Sequence, residues 1–188
     1  DDIIGTIAKF AEKEDFETYM MTPDKDFAQL VSENIFMYRP GRSGNPAEVW
    51  GVPEVQTKFE VERPEQVIDI LGMWGDSADN IPGIPGIGEK TSKKLIKAYG
   101  SLEGLLENTD DLKGKQKENV INFAEQGKLS KLLATIDLNV PIEIDFDLML
   151  IDNWNEDALL SIFSEMEFRT LARRVLGVDI SNTAQTSP

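Results

Sequence analysis

An α/β sheet followed by a mostly helical subdomain is the architecture this sequence predicts, and three observations carry the prediction. The first fifty residues alternate between short helical stripes and short runs of strand formers. The texture changes at Gly75, and two prolines and three glycines then fall within Asn80–Gly88. Beyond that point all but one of the patterned stretches have helical spacing. The 188 residues suffice for one substantial core, or one core with a small helical lobe.

Ile3, Ile4, Ile7, Ala8, Phe10 and Ala11 form a helical stripe that runs out near Glu14. Phe16–Met21 reads as a strand ending at Thr22-Pro23, Asp26–Leu30 as a helical turn, and Ile35–Tyr38 as a second strand. Residues 40–46 are turn-rich, and Glu48–Trp50 reads as a short return strand. Pro53–Phe59 and Pro64–Trp74 read as helices with an early proline. After the Pro/Gly stretch come a helix over Glu89–Tyr99 closed by Gly100, and another over Leu102–Leu106 capped by Ser101. Gln116–Ala124 and Leu129–Ile136 are helical, with a break expected near Gly127. Pro141–Leu150 alternates as an extended segment would, and Glu156–Met166 and Thr170–Leu176 close the helical part. The boundaries expected are 1–62 for the sheet, 63–177 for the helical subdomain, and 178–188 for a linker.

Cysteine and histidine are both absent, which removes disulfides, thiolate zinc sites and Ser-His or Cys-His nucleophiles. Chemistry, if present, rests on carboxylates, lysines and a hard metal ion such as magnesium or manganese. No apolar run approaches eighteen residues and no basic, apolar leader opens the chain, so a cytoplasmic protein without a membrane span is expected. A helix starting at Asp1 suggests a piece of a longer protein.

The net charge of −15 argues by itself against nucleic acid. Its distribution does not. Residues 1–80 carry 7 basic and 17 acidic side chains and residues 132–188 carry 3 and 10, but residues 81–131 carry 9 and 7. Ile84–Lys97 holds four lysines and one glutamate, which permits one focused phosphate contact.

That contact would centre on the string Ile84-Pro85-Gly86-Ile87-Gly88-Glu89-Lys90-Thr91-Ser92-Lys93-Lys94-Leu95. Gly86 and Gly88 let the backbone turn and present its amides, while Ile87 plugs the core. The next helix offers unpaired N-terminal amides to a phosphate, with Lys90 and Lys93 or Lys94 beside it. The framing proline, central isoleucine, lysine spacing and closing Tyr99-Gly100 occur together, the pattern of a helix-hairpin-helix over residues 84–99. A P-loop is excluded because no Gly-Lys-Ser or Gly-Lys-Thr occurs, and a dinucleotide fold would need a strand before the glycines.

Asp24 and Asp26 follow a strand, at the end where open α/β sheets bind ligands. Asp76 and Asp79 are spaced i,i+3, and Asp1 and Asp2 open the first helix. Carboxylates that converge without bases repel one another unless a cation joins them. Each pair also has an ordinary reading as a cap or turn, and spacing alone does not choose between the two.

The strings Asp1-Asp2-Ile3-Ile4-Gly5-Thr6, Thr22-Pro23-Asp24-Lys25-Asp26-Phe27-Ala28-Gln29-Leu30 and Gly75-Asp76-Ser77-Ala78-Asp79-Asn80-Ile81-Pro82-Gly83 resemble, in order, three metal-binding motifs of bacterial 5′ nucleases. The third runs into that family's helix-hairpin-helix. The chain thus resembles, over residues 1–177, the 5′–3′ exonuclease and flap endonuclease domain of bacterial DNA polymerase I. The resemblance implies a PIN-like nuclease sheet with a SAM-fold-like helical subdomain, and Asp1, Asp2, Asp24, Asp26, Asp76 and Asp79 as ligands of two Mg2+ or Mn2+ ions. It further implies duplex backbone contacts from Lys25, Gly86, Gly88, Lys90, Thr91, Lys93 and Lys94, and a potassium ion on hairpin carbonyls. Implied partners are duplex DNA with a 5′ flap, nick or RNA primer, and the remainder of a DNA polymerase I in cis. The family's N-terminal strand, further ligands and basic arch do not precede Asp1, so these 188 residues alone are expected to cleave little. Two other readings are a DNA-backbone-binding module and a structural domain whose acidic pairs only solubilise it.

Overall fold

The computed structural model describes residues 1–41 and 44–180, which fall into two compact units, Asp1–Ile142 and the residues from Glu143 onward. Arg42 and Ser43 of the turn-rich loop, and 181–188 of the expected linker, lie outside the described residues.

The first unit opens with α1 (Asp2–Lys13), whose Ala8 and Ala11 are buried. Then come β1 (Thr18–Met21), a 3-10 turn over Lys25–Leu30, β2 (Ile35–Arg39) and β3 (Glu48–Trp50). The sheet order is β1-β2-β3. β1 runs parallel to β2, with Thr18 opposite Ile35, and β3 runs antiparallel, with Trp50 opposite Met37. Parallel strands require a crossover, and the 3-10 turn supplies it, burying Phe27, Ala28 and Leu30 against the sheet's Met20, Ile35 and Met37. The parallel pair therefore ends on one side, at the residues that carry the candidate chemistry.

Helices α2 (Val52–Phe59) and α3 (Val67–Trp74) follow, the latter entered through a 3-10 turn at Pro64–Gln66. Next are α4 (Glu89–Tyr99), α5 (Leu102–Glu107), α6 (Gly114–Asn122) and α7 (Ala124–Ala134). α3 is the hub: Val67, Ile70, Leu71 and Met73 have no exposed surface, and they join the sheet's core to that of the helices in one cluster. Asp69 on the same helix is buried, accepts from the Leu102 amide at 2.9 Å, and is paired with Lys131 of α7 at 2.6 Å. Lys131 also reaches Glu103 of α5 at 2.7 Å, so one ammonium ties three helices together.

The second unit contains α8 (Glu156–Glu165) and α9 (Arg169–Leu176), packed on each other. Two expectations are corrected. The break expected near Gly127 falls instead at Phe123, which is non-helical with φ −114° and ψ 21°. Gly127 lies inside α7, and a Cβ there would meet Ile84 Cδ1 at 2.9 Å, so the glycine serves packing and not termination. The extended segment Pro141–Leu150 forms no strand. Its alternation survives as half-buried Ile142, Ile144 and Phe146, but Asp145 accepts from the Asp147 amide and starts a 3-10 turn over Phe146–Met149. No helix among the described residues is long and apolar enough to cross a membrane.

Candidate metal centre and hairpin

Asp24 and Asp26 sit just beyond the C-terminal end of β1. Asp24 caps the 3-10 turn, its Oδ1 accepting from the Asp26 amide at 3.1 Å, and this directs Asp26 inward. Asp26 is only 5% exposed, and its Oδ1 is buried without a hydrogen-bond partner among the described residues. Gln29 holds the same turn by donating to the carbonyls of Asp26 and of Ala134 at the end of α7, both at 2.9 Å.

Asp76 and Asp79 arrive on the loop that leaves α3. Asp76 and Ile81 exchange backbone hydrogen bonds of 2.9 and 2.7 Å, closing a tight hairpin with Asp79 near its tip. Gly75 and Gly83 flank this bridge so closely that a Cβ on Gly83 would lie 2.5 Å from the Gly75 nitrogen. Asp26, Asp76 and Asp79 consequently offer carboxylate oxygens that all lie within 4.8 Å of one another. Asp1 and Asp2 line one cleft with Asp26 and Asp79. Asp2 Oδ1 also accepts from the Asp137 amide at 3.0 Å. Asp24 is close enough for its charge to raise the Asp26 pKa, although its own oxygen is committed to the cap.

Lys25 stands among these carboxylates. Its ammonium hydrogen-bonds Asp76 Oδ2 and lies 3.6 Å from Asp26 Oδ1. Burial pushes the Asp26 carboxyl up to about 6, against the opposing Lys25 charge, and the charges of Asp24, Asp76 and Asp79 push the same way. At Asp76 burial is outweighed by the Lys25 hydrogen bond and the Ala78 amide, and the carboxyl lies below its ordinary range. Burial likewise opposes the Lys25 charge, but the Asp76 hydrogen bond and the surrounding carboxylates hold its pKa above the usual lysine value. The donor set is all oxygen, one buried oxygen accepts no hydrogen bond, and one cation already sits among the acids. These residues fit a hard divalent ion.

The second feature is the turn from Ile84 to Gly88. The Ile84 amide donates to Met73 O at 2.8 Å and Ile87 is buried, which fixes the loop to the core. Gly86 has φ +80° and exposes its backbone. Gly88, expected to turn the chain as well, is extended at φ −99°, and a Cβ there would meet nothing within 4 Å. Its contribution is an unobstructed approach to the start of α4, which has no side-chain cap. Lys90 and Lys94 are exposed and Thr91 is half-buried beside them. Lys93, expected to face a phosphate with them, is 9% exposed and donates to Lys58 O at 2.8 Å and Glu89 Oε1 at 2.7 Å. Its side chain is turned towards α2. Lys25, grouped with these lysines from sequence, belongs spatially to the carboxylates.

Residues 62–157 match the family described as 5′-3′ exonuclease, C-terminal SAM fold, and residues 1–60 match the one described as 5′-3′ exonuclease, N-terminal resolvase-like domain. The chain is 41% identical over 186 residues to DNA polymerase I of Bacillus subtilis, covering 98% of this chain and 21% of that protein. It is 42% identical over 147 residues to the thermostable DNA polymerase I of Thermus aquaticus, covering 78% and 17%. It thus spans about a fifth of the length of these curated relatives. Its fold is similar to that of a bacteriophage T5 flap endonuclease, solved as a pseudo-enzyme-product complex with DNA and metal ions. The TM-score is 0.62 at 21% identity, covering 71% of this chain and 48% of that one. The two family matches between them take in the carboxylate cluster and the hairpin, and the chain belongs to the 5′-3′ exonuclease family.

Proposed function

We propose that this chain is the metal-binding and duplex-gripping part of a 5′–3′ exonuclease and flap endonuclease, within a DNA polymerase I that replicates and repairs DNA. The observation that carries the reading is the convergence of Asp26, Asp76 and Asp79, with a buried Asp26 oxygen that accepts no hydrogen bond, in a member of this family. Asp26, Asp76 and Asp79 would hold Mg2+ or Mn2+, with Asp1 and Asp2 serving a second ion across their shared cleft. Such an ion, when bound, lowers the pKa of water and stabilises the leaving oxygen of a phosphodiester. Asp24 orients Asp26 by capping its turn, and Asp26 must lose the proton that burial favours before it can act as a ligand.

The hairpin grips the backbone of duplex DNA carrying a flap, nick or RNA primer, through Gly86, Gly88, Lys90, Thr91 and Lys94. That grip positions the strand without reading its sequence. A potassium ion at the hairpin would take second lone pairs on carbonyls such as Gly83 and Pro85, which already accept from Gln126 and Asn119. Within the 1–62 and 63–177 division, the first part orients Asp26 and the second supplies Asp76, Asp79 and the hairpin. These 188 residues, about a fifth of the relatives' length, bind duplex DNA by themselves and cleave it poorly. The test is a flap-cleavage assay with magnesium on this chain and on one of the relatives' full length. Metal-dependent cleavage by the long form, abolished by Asp79→Asn, is expected. Metal-independent cleavage would overturn the mechanism.

A further inference from the structure

A furrow of about 780 Å³, lined by Arg39, Glu48, Trp50, Pro53, Thr57 and Lys58, runs along the end of the sheet. This is within the roughly 300–1,000 Å³ range of ligand clefts. A neighbouring hollow lined by Asp24, Lys25, Arg39, Trp50, Lys58 and Trp74 connects it to the candidate metal centre. The topology makes them adjacent: β1 and β2 are parallel, so Arg39 at the end of β2 and Asp24 beyond the end of β1 emerge on the same side.

The hydrogen-bonding inventory of the furrow is lopsided. Each of its carboxylates has one oxygen engaged by the protein. Glu48 accepts from Trp50 Nε1 at 3.0 Å, and Glu54 from the Gly51 amide at 2.9 Å. The donors are not used up. Arg39 lies over the Trp50 ring at 4.1 Å, its Nη2 donates at 3.3 Å to Pro23 O, and its Nη1 lies 3.7 Å from Glu48. Its Nε is buried with no partner among the described residues. Lys58 stands exposed on the rim. A guanidinium has five N–H donors and no acceptor, so a ligand that completes this site must bring acceptors. Phosphate oxygens match that need, and the half-buried Trp74 indole in the neighbouring hollow offers apolar surface to sugars or bases.

We propose that this furrow is a phosphate subsite for a single-stranded stretch of DNA leaving the carboxylate cluster, with Arg39 and Lys58 as its cationic contacts. The inference rests on the proposed nuclease reading and adds to it a separate grip from that of the hairpin, which takes duplex. A path for one strand beside the metal centre keeps the strand's reacting phosphate in place, where small displacements cost rate.

The test is fluorescence anisotropy of the 188-residue chain with a labelled oligothymidylate and with a blunt duplex, across a potassium chloride series. Arg39→Gln and Lys58→Met are each expected to weaken single-strand binding about threefold to tenfold and to flatten its salt slope by about 0.7. Duplex binding should stay within about twofold for both variants, and Lys94→Ala should show the opposite preference. Circular dichroism melting checks the fold, and if Arg39→Gln does not fold, Lys58→Met on the surface decides. Unchanged single-strand binding in the variants, with duplex binding still weakened by Lys94→Ala, overturns this subsite and leaves the nuclease reading standing. Equal loss on single strand and duplex overturns it too, because the furrow would then not distinguish strands. Absence of any DNA binding by the unmodified chain would overturn both.

Discussion

Asp26 is the residue on which the candidate site turns. Its carboxyl is pushed up to about 6, mainly by burial, so without metal the folded protein holds a proton there that the unfolded chain gives up near 4. The sign is the reverse of the usual carboxylate case. Stability should fall as pH rises from about 4 through about 6, by roughly 3 kcal/mol at most. Urea unfolding at pH 4.5 and pH 7 tests this, with Asp26→Asn expected to flatten the difference. Asp76, lowered by Lys25, acts in the opposite sense and only below the ordinary carboxylate range. Metal ligation should depend unequally on the acids. Asp76→Asn and Asp79→Asn should weaken Mn2+ binding by about tenfold or more, and Asp24→Asn by less, because an asparagine oxygen can still cap the turn. Titration calorimetry reads the ranking directly. Equal losses at all three positions would place Asp24 among the ligands.

Two elements carry mechanical weight, the helix α3 and the hairpin before α4. Asp69 of α3 is buried, and Lys131 gives it its counter-charge. Lys131→Ala leaves an unpaired buried carboxylate and should cost about 3 kcal/mol, seen as a lower urea midpoint. Asp69→Asn with Lys131→Met, which removes both charges, should recover much of that loss. At the hairpin the two glycines separate. Gly86→Val forces a β-branched residue to φ +80° and should cost about 1–3 kcal/mol together with duplex binding. Gly88→Val meets open space, so the fold should hold while duplex affinity falls, because the side chain would cover the start of α4. Lys97→Ala, one turn further along, should change affinity least. Comparable losses for Gly88→Val and Lys97→Ala in anisotropy would remove the helix start from the contact.

For the whole molecule the governing facts are a net charge of −15 and a single basic stretch. Few phosphates can be neutralised, so duplex binding should be weak, without sequence preference, and with a salt slope of about two to four. A sequence-selective footprint at physiological salt would contradict backbone recognition. Divalent ions should stabilise the whole fold, because their ligands come from two parts of the chain, the turn after β1 and the loop after α3. At a hundred times the dissociation constant the gain is about 2.7 kcal/mol. A thermal shift with Mn2+ that persists in Asp79→Asn would show that the ion binds elsewhere.

How much of this was legible beforehand follows from the range of the forces involved. Periodicity and local backbone preference located α4 and the turn at Gly86, because a helical stripe and a proline–glycine run are written in neighbouring residues. The motif order gave the acidic positions for the same reason. What chain-local pattern could not carry is which way a long side chain turns. Lys93 and Lys94 are adjacent lysines on one helix, yet one is buried on Lys58 O and Glu89 and the other faces solvent. Lys25 and Arg39 acquire their surroundings only when the parallel pairing of β1 and β2 sets their ends side by side. Gly127 looked like a helix breaker until the side chain it packs against, Ile84, was in place. By itself the sequence determined the order of elements, the hairpin and the identity of the acids. Only the tertiary structure decided which acids converge and which cations are spent inside the protein, because burial and electrostatics act through space between residues far apart in the chain.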